Sequence, residues 1–249
     1  MNISLHKPFS ISETGKRIRN EDCIYPHAGD GSADDRLFLV CGGVGESNKG
    51  KIAGTLACNS IQTYFQTFLD SEKKFESDFI QKAVRYTEIR FDEYIRENKS
   101  DKGMATTLCL FYIASEGIYL THAGDSRIYQ FRNGRIIFKT GNPPLTNEIH
   151  RVIQGTEKPI EIGVIHLTDI QPDDIFLLCT NGVLESFSEE DLSNLFSESS
   201  NVEKNLSRIK ETCRIKSKDN YSAHLISIQE VEKVNTFRQV MTSFLYACV

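Results

Sequence analysis

Residues 105–114, 117–122, 126–132 and 134–139 follow one another as four strand-like stretches with almost nothing between them. Asn133-Gly134 is the strongest hairpin turn in the chain, because both residues tolerate positive φ. Two long helical patterns stand before this block. Residues 50–69 place Ile52, Leu56, Ile61, Tyr64, Phe65 and Phe68 at helical spacing, and residues 77–97 do the same with Phe79, Ala83, Tyr86, Ile89 and Tyr94. A dense strand block behind two adjacent helices constrains the chain to an α+β fold, with sheets packed on helices.

Further strands are expected at 3–10, 23–26, 36–41, 160–167, 174–179 and 221–229, and helices at 188–195 and 202–216. No repeat or low-complexity linker interrupts this series. One domain over residues 1–230 is the simplest organisation, followed by a tail, 231–249, that is expected to be helical. Its apolar end, "FLYACV", suits packing or a partner contact.

Composition narrows the function classes. The net charge of −5 argues against nucleic-acid binding, which would show a basic face. No run approaches the roughly 18 apolar residues of a membrane helix. The start, "MNISLHKPFS", lacks the apolar segment of a secretory signal. Seven cysteines, none at Cys-x-x-Cys spacing and several inside apolar runs, suit free buried thiols in a reducing compartment. A cytoplasmic protein is the expectation.

The stretch 37–54, "LFLVCGGVGESNKGKIAG", is the most suggestive glycine-rich turn. Gly45 to Lys51 fits G-x-x-x-x-G-K between a strand and a helix, the setting of a nucleotide phosphate loop. Ile52 then stands where a magnesium-binding hydroxyl belongs, so this reading is a minor alternative.

Other stretches come in a fixed order: "GKRIRNED" (15–22), "LFLVCGGVG" (37–45), "MATTLCLF" (104–111), "THAGDSRIYQFRNG" (121–134), "DDIFLLCTNGVLE" (173–185) and "KDNYSAHLISI" (218–228). Together they resemble the metal-dependent serine/threonine protein phosphatases of type 2C, over about residues 10–229. The resemblance implies a central antiparallel β-sandwich flanked by helix pairs, with a metal cleft at one end. It implies a reaction in which magnesium or manganese ions, held by oxygen ligands, activate water to attack a phosphoserine or phosphothreonine. In that scheme Arg17 grips the phosphate, and Asp125 sits close to the metals. Glu21, Gly43 through its carbonyl, Asp219 and the residue at position 181 are metal ligands.

The sequence departs from the family where it matters most. The family has Asp-Gly where this chain has Gly42-Gly43, and Asp-Gly again at Asn181-Gly182. The first of these positions carries the carboxylate that bridges both metals. Two divalent ions about 4 Å apart repel by roughly 16 kcal/mol at an effective dielectric near 20, before ligands are counted. Glycine has no atom to oppose that repulsion, and asparagine keeps an oxygen without the charge. Glu46, four residues on, is a conceivable substitute.

The expected function is therefore a type 2C-like domain with a degenerate two-metal centre and weak or incomplete magnesium or manganese binding. It would act by binding a phosphoprotein or regulatory protein. The alternative is a working phosphatase, or a form of one inactivated by substitution. The connector 140–155, with Pro143-Pro144, is short for a flap beside the cleft.

Overall fold

The computed structural model describes residues 1–45, 49–71, 75–98, 103–141 and 152–232. Two six-stranded antiparallel sheets face each other. The first contains β1 (Asn2–Leu5), β2 (Phe9–Glu13), β8 (Arg127–Arg132), β9 (Arg135–Lys139), β11 (Ile175–Cys179) and β12 (Tyr221–Glu232). Its order is β1-β12-β11-β8-β9, and β2 also pairs with β12. The second contains β3 (Asp22–Tyr25), β4 (Leu37–Val44), β5 (Ala105–Thr106), β6 (Leu108–Ala114), β7 (Gly117–Ala123) and β10 (Val164–Leu167). Its order is β10-β7-β6-β4-β3, with β5 joined to β4.

Helices α1 (Lys49–Phe68) and α2 (Ser77–Asn98) cover the outer face of the second sheet. Helices α4 (Glu189–Glu198) and α5 (Val202–Lys216) cover the first, and a short α3 (Asn181–Leu184) follows β11. Strands buried on both faces need apolar residues at every position. In β4, Phe38 and Val40 point between the sheets, while Leu37, Leu39 and Cys41 point to α1. In β11, Phe176 and Leu178 point between the sheets, and Ile175, Leu177 and Cys179 point to α4 and α5. This is the expected α+β sandwich flanked by helix pairs. Among the described residues no helix is long and apolar enough to cross a membrane.

Several expected boundaries move, each for a local reason. The single strand over 3–10 is two, β1 and β2, both paired to β12 across a break at His6 to Pro8. The stretch 105–114 splits at Thr107, whose N–H is drawn off to the carbonyl of Gly42 at 2.9 Å. Residues 160–163 do not join β10, because α2 holds that segment. Buried Glu88 accepts the N–H of Ile160 at 2.8 Å, and Asp92 accepts the N–H and hydroxyl of Thr156. Helix α4 is fixed by a reciprocal cap between Ser188 and Asp191. The strand expected to end at 229 runs on to Glu232 as β12, and residues 233–249 of the tail expected to be helical lie outside the described residues. So do Glu46 and residues 142–151 of the short connector.

Candidate functional site

At one end of the sandwich the strand ends converge. The start of β3, the end of β4, Thr107, the β7–β8 turn, the β11–α3 junction and the residues before β12 enclose one cavity of about 890 Å³. It is lined by Arg17, Glu21, Asp22, Gly42, Asp125 and Asp219, among others. Every residue expected at the site thus faces one space, including Gly43 and Asn181.

Arg17 and Asp219 meet in a two-pronged ion pair, Nε to Oδ1 at 2.9 Å and Nη2 to Oδ2 at 3.0 Å. The carboxylate raises the arginine pKa further. Arg17 remains 59% exposed and Asp219 34%, so the pair sits at the cavity mouth in contact with solvent. The guanidinium expected to grip a phosphate and the carboxylate expected to grip a metal are here each other's partner.

Glu21 is held through its backbone: its N–H donates to Asn220 Oδ1 at 2.9 Å and its carbonyl accepts from Gly43 at 3.2 Å. Its carboxylate lies against the first turn of α1, where a Cβ on Gly50 would come 2.6 Å from Oε2. That helix end favours negative charge. The glycines around it are dictated by packing. A Cβ on Gly43 would stand 2.1 Å from the carbonyl oxygen of Gly50. Gly50, the second glycine of the phosphate-loop pattern, and Gly43 are thus explained by a backbone-to-backbone approach of β4 and α1. Residues 46–48 of that pattern lie outside the described residues.

Gly42 is paired directly with Asp22 across β3 and β4. Its N–H donates to Thr107 Oγ1 at 2.9 Å, and its carbonyl accepts from the Thr107 N–H at 2.9 Å. A Cβ there would meet Thr107 Oγ1 at 2.9 Å and Thr180 Cγ2 at 3.4 Å. A side chain here therefore requires the Thr107 hydroxyl to shift. Asn181 opens α3 and directs its amide to Glu185 Oε1 at 3.4 Å. Asp125 reaches the cavity from the turn between β7 and β8, where Gly124 takes a φ of +81°.

Asp22 is the residue that sequence reading passed over. It sits on the cavity floor, where its carboxylate accepts from Thr180 Oγ1 at 2.9 Å. Burial pushes its pKa up to about 7, and the nearby carboxylates of Asp219 and Asp125 push the same way. Hydrogen bonds from Ser222 and Thr180 oppose the rise. The neighbouring hydroxyls form a second polar layer: Thr107 Oγ1 and Ser126 Oγ are 2.6 Å apart. The signal for Asp22 was the adjacent acid in "NED", but only its pairing with Gly42 shows which of the two reaches the floor.

Among the described residues, no group of three or more His, Cys, Asp or Glu side chains is arranged to hold a metal ion. Glu21, Asp22, Asp125 and Asp219 line the space, and position 42 contributes backbone only.

A family model described as protein phosphatase 2C matches residues 14–225. The protein phosphatase PhpP of Streptococcus pneumoniae is 24% identical over 210 residues, which cover 79% of this chain and 81% of PhpP. The serine/threonine protein phosphatase PstP of Mycobacterium tuberculosis is 25% identical over 197 residues, 70% of this chain but 35% of PstP. A crystal structure of the PstP catalytic domain in complex with two manganese ions superposes with a TM-score of 0.73 at 22% identity, covering 92% of this chain and all of that one.

Proposed function

The chain belongs to the protein phosphatase 2C family, and on that premise we propose that it is a degenerate member, engaging a phosphoprotein or regulatory partner with weak or no turnover. The reading is carried by the floor of the cavity at Gly42. A bridged pair of divalent ions needs a carboxylate reaching both, and no side chain extends from this position. Asn181 offers only a neutral oxygen, and its amide nitrogen donates to Glu185 Oε1. The residues present do not fit a two-metal centre.

What remains is a pocket for an anion. Arg17 can exchange Asp219 for phosphate oxygens with its fork geometry unchanged, since carboxylate and phosphate take the same two parallel N–H bonds. Asp219 is already part-exposed, so the exchange leaves no buried charge unpaired. Glu21 and Asp125 are the remaining candidates for a single, weakly held magnesium or manganese ion.

The test is hydrolysis of p-nitrophenyl phosphate at millimolar manganese by the unaltered chain and by Gly42→Asp/Asn181→Asp. We expect near-background turnover from the first and a gain of tenfold or more, roughly 1.4 kcal/mol or more of barrier, from the second. Equal rates from the two would end the degenerate reading. A working phosphatase is the second reading, favoured by the gathering of Glu21, Asp22, Asp125 and Asp219 around one cavity.

A further inference from the structure

Behind the cavity wall three thiols meet. Cys23 on β3 and Cys41 on β4 are directly opposed across the strand pair. Cys58, one turn after Gly54 on α1, lies in the same buried cluster as Cys41, and Cys23 packs against that cluster. The helix can approach this closely because its contact face carries Gly50, Gly54 and Ala57. A Cβ on Gly54 would stand only 3.7 Å from the Cβ of Cys23. The three thiols differ in access: Cys41 and Cys58 are buried, whereas Cys23 is half-buried. A part-exposed thiol packed beside a buried one is the arrangement in which a first oxidation is resolved rather than left to proceed. The other described cysteines, Cys109, Cys179 and Cys213, are all buried.

We propose that Cys23 and Cys58 are an oxidant-responsive pair, in which peroxide oxidises Cys23 and Cys58 resolves it to a disulfide. The Cys23 sulfur attacks one peroxide oxygen and the O–O bond breaks, giving a sulfenic acid and water. The Cys58 sulfur then attacks the Cys23 sulfur. The S–O bond breaks, and the departing hydroxide leaves as water with the Cys58 proton. Two thiols lose two electrons and two protons, and one peroxide becomes two waters. The new bond ties α1 to β3 beside Asp22 and Glu21, so the wall of the cavity carries the oxidation state. This inference stands apart from the degenerate-phosphatase reading and does not need it.

Trypsin separates the three sulfurs into peptides 20–36, 37–49 and 52–73. The reduced full chain is treated with hydrogen peroxide, blocked with an alkylating agent, digested without reductant and mapped by mass spectrometry. The expected product joins peptides 20–36 and 52–73 and disappears on reduction. Cys41→Ala keeps it. Cys58→Ala loses it and leaves Cys23 as a sulfenic acid captured by dimedone. A chain whose Cys23 stays reduced, goes on to sulfinic acid unlinked, or bonds to Cys41 instead overturns the proposal. Should Cys58→Ala fail to fold, the peptide map of the unaltered chain decides alone.

Discussion

His224 is sealed between the sheets, against the ring of Phe38 at 5.5 Å, and its Nε2 has no hydrogen-bond partner. Burial lowers its pKa from 6.5 to about 4, although the carbonyls of Leu39 and Tyr25 favour the charged form. Between those values the unfolded chain binds the proton and the folded chain does not, so stability falls as pH drops from 6.5 to 4. The full contribution is about 3 kcal/mol. Asp22 has the opposite sign: its folded pKa is raised to about 7, so stability falls as pH rises from about 4 to 7. The two slopes offset each other in the unaltered chain. Urea titrations of the unaltered chain and His224→Leu across pH 4–7 separate them. The unaltered chain should lose about 3 kcal/mol relative to the variant on acidification from 6.5 to 4. A constant difference between the two would mean that His224 does not titrate as described. Neither group announces itself in the sequence. An alternating strand contains a histidine in many proteins, and only the second sheet, laid over it, makes this one a buried base.

At the scale of elements, the docking of α1 on β3 and β4 builds the cavity wall, and it is made of glycine. Gly43→Ala would drive a methyl group to within 2.1 Å of the Gly50 carbonyl oxygen. The strand or helix must move, and we expect a loss of ~3 kcal/mol or more in urea unfolding. Gly141→Ala is the control: it meets nothing within 4 Å and should stay within about 0.5 kcal/mol of the unaltered chain. If both variants unfold alike, the close approach is not what fixes Gly43. Long helices were legible because a 3.6-residue period persists over α1 and α2. Helix α3 was not, since four residues carry no period. The break at Thr107 was also hidden, because the residues from 105 to 114 are buried on both sides of it and its cause is a hydrogen bond to a residue 65 positions away.

At the scale of the whole molecule, the three buried clusters share their strands. β4 and β11 each feed the middle layer with one set of side chains and an outer helix layer with the other. Losing one sheet therefore strips its own helix pair of a seat and opens the middle layer on which the other sheet rests. Residues 1–232 should unfold in urea as one unit, with tyrosine fluorescence (the chain has nine Tyr and no Trp) and far-ultraviolet circular dichroism superimposed. Two separated transitions would show instead that a helix layer peels away first. The ordered motifs made the sandwich legible, and they placed the expected residues around one cavity. They gave no sign that Arg17 and Asp219 hold each other, or that Asp22 lies beneath them, because those facts depend on strand register. That register also bears on descent. The backbone at position 42 is held by Thr107 and by pairing with Asp22, not by its own side chain. Glycine and aspartate have codons one base apart, as do asparagine and aspartate. A lineage carrying this frame can lose and regain its acids by point mutation while the architecture stays the same, so kinship in such a family records ancestry rather than catalysis.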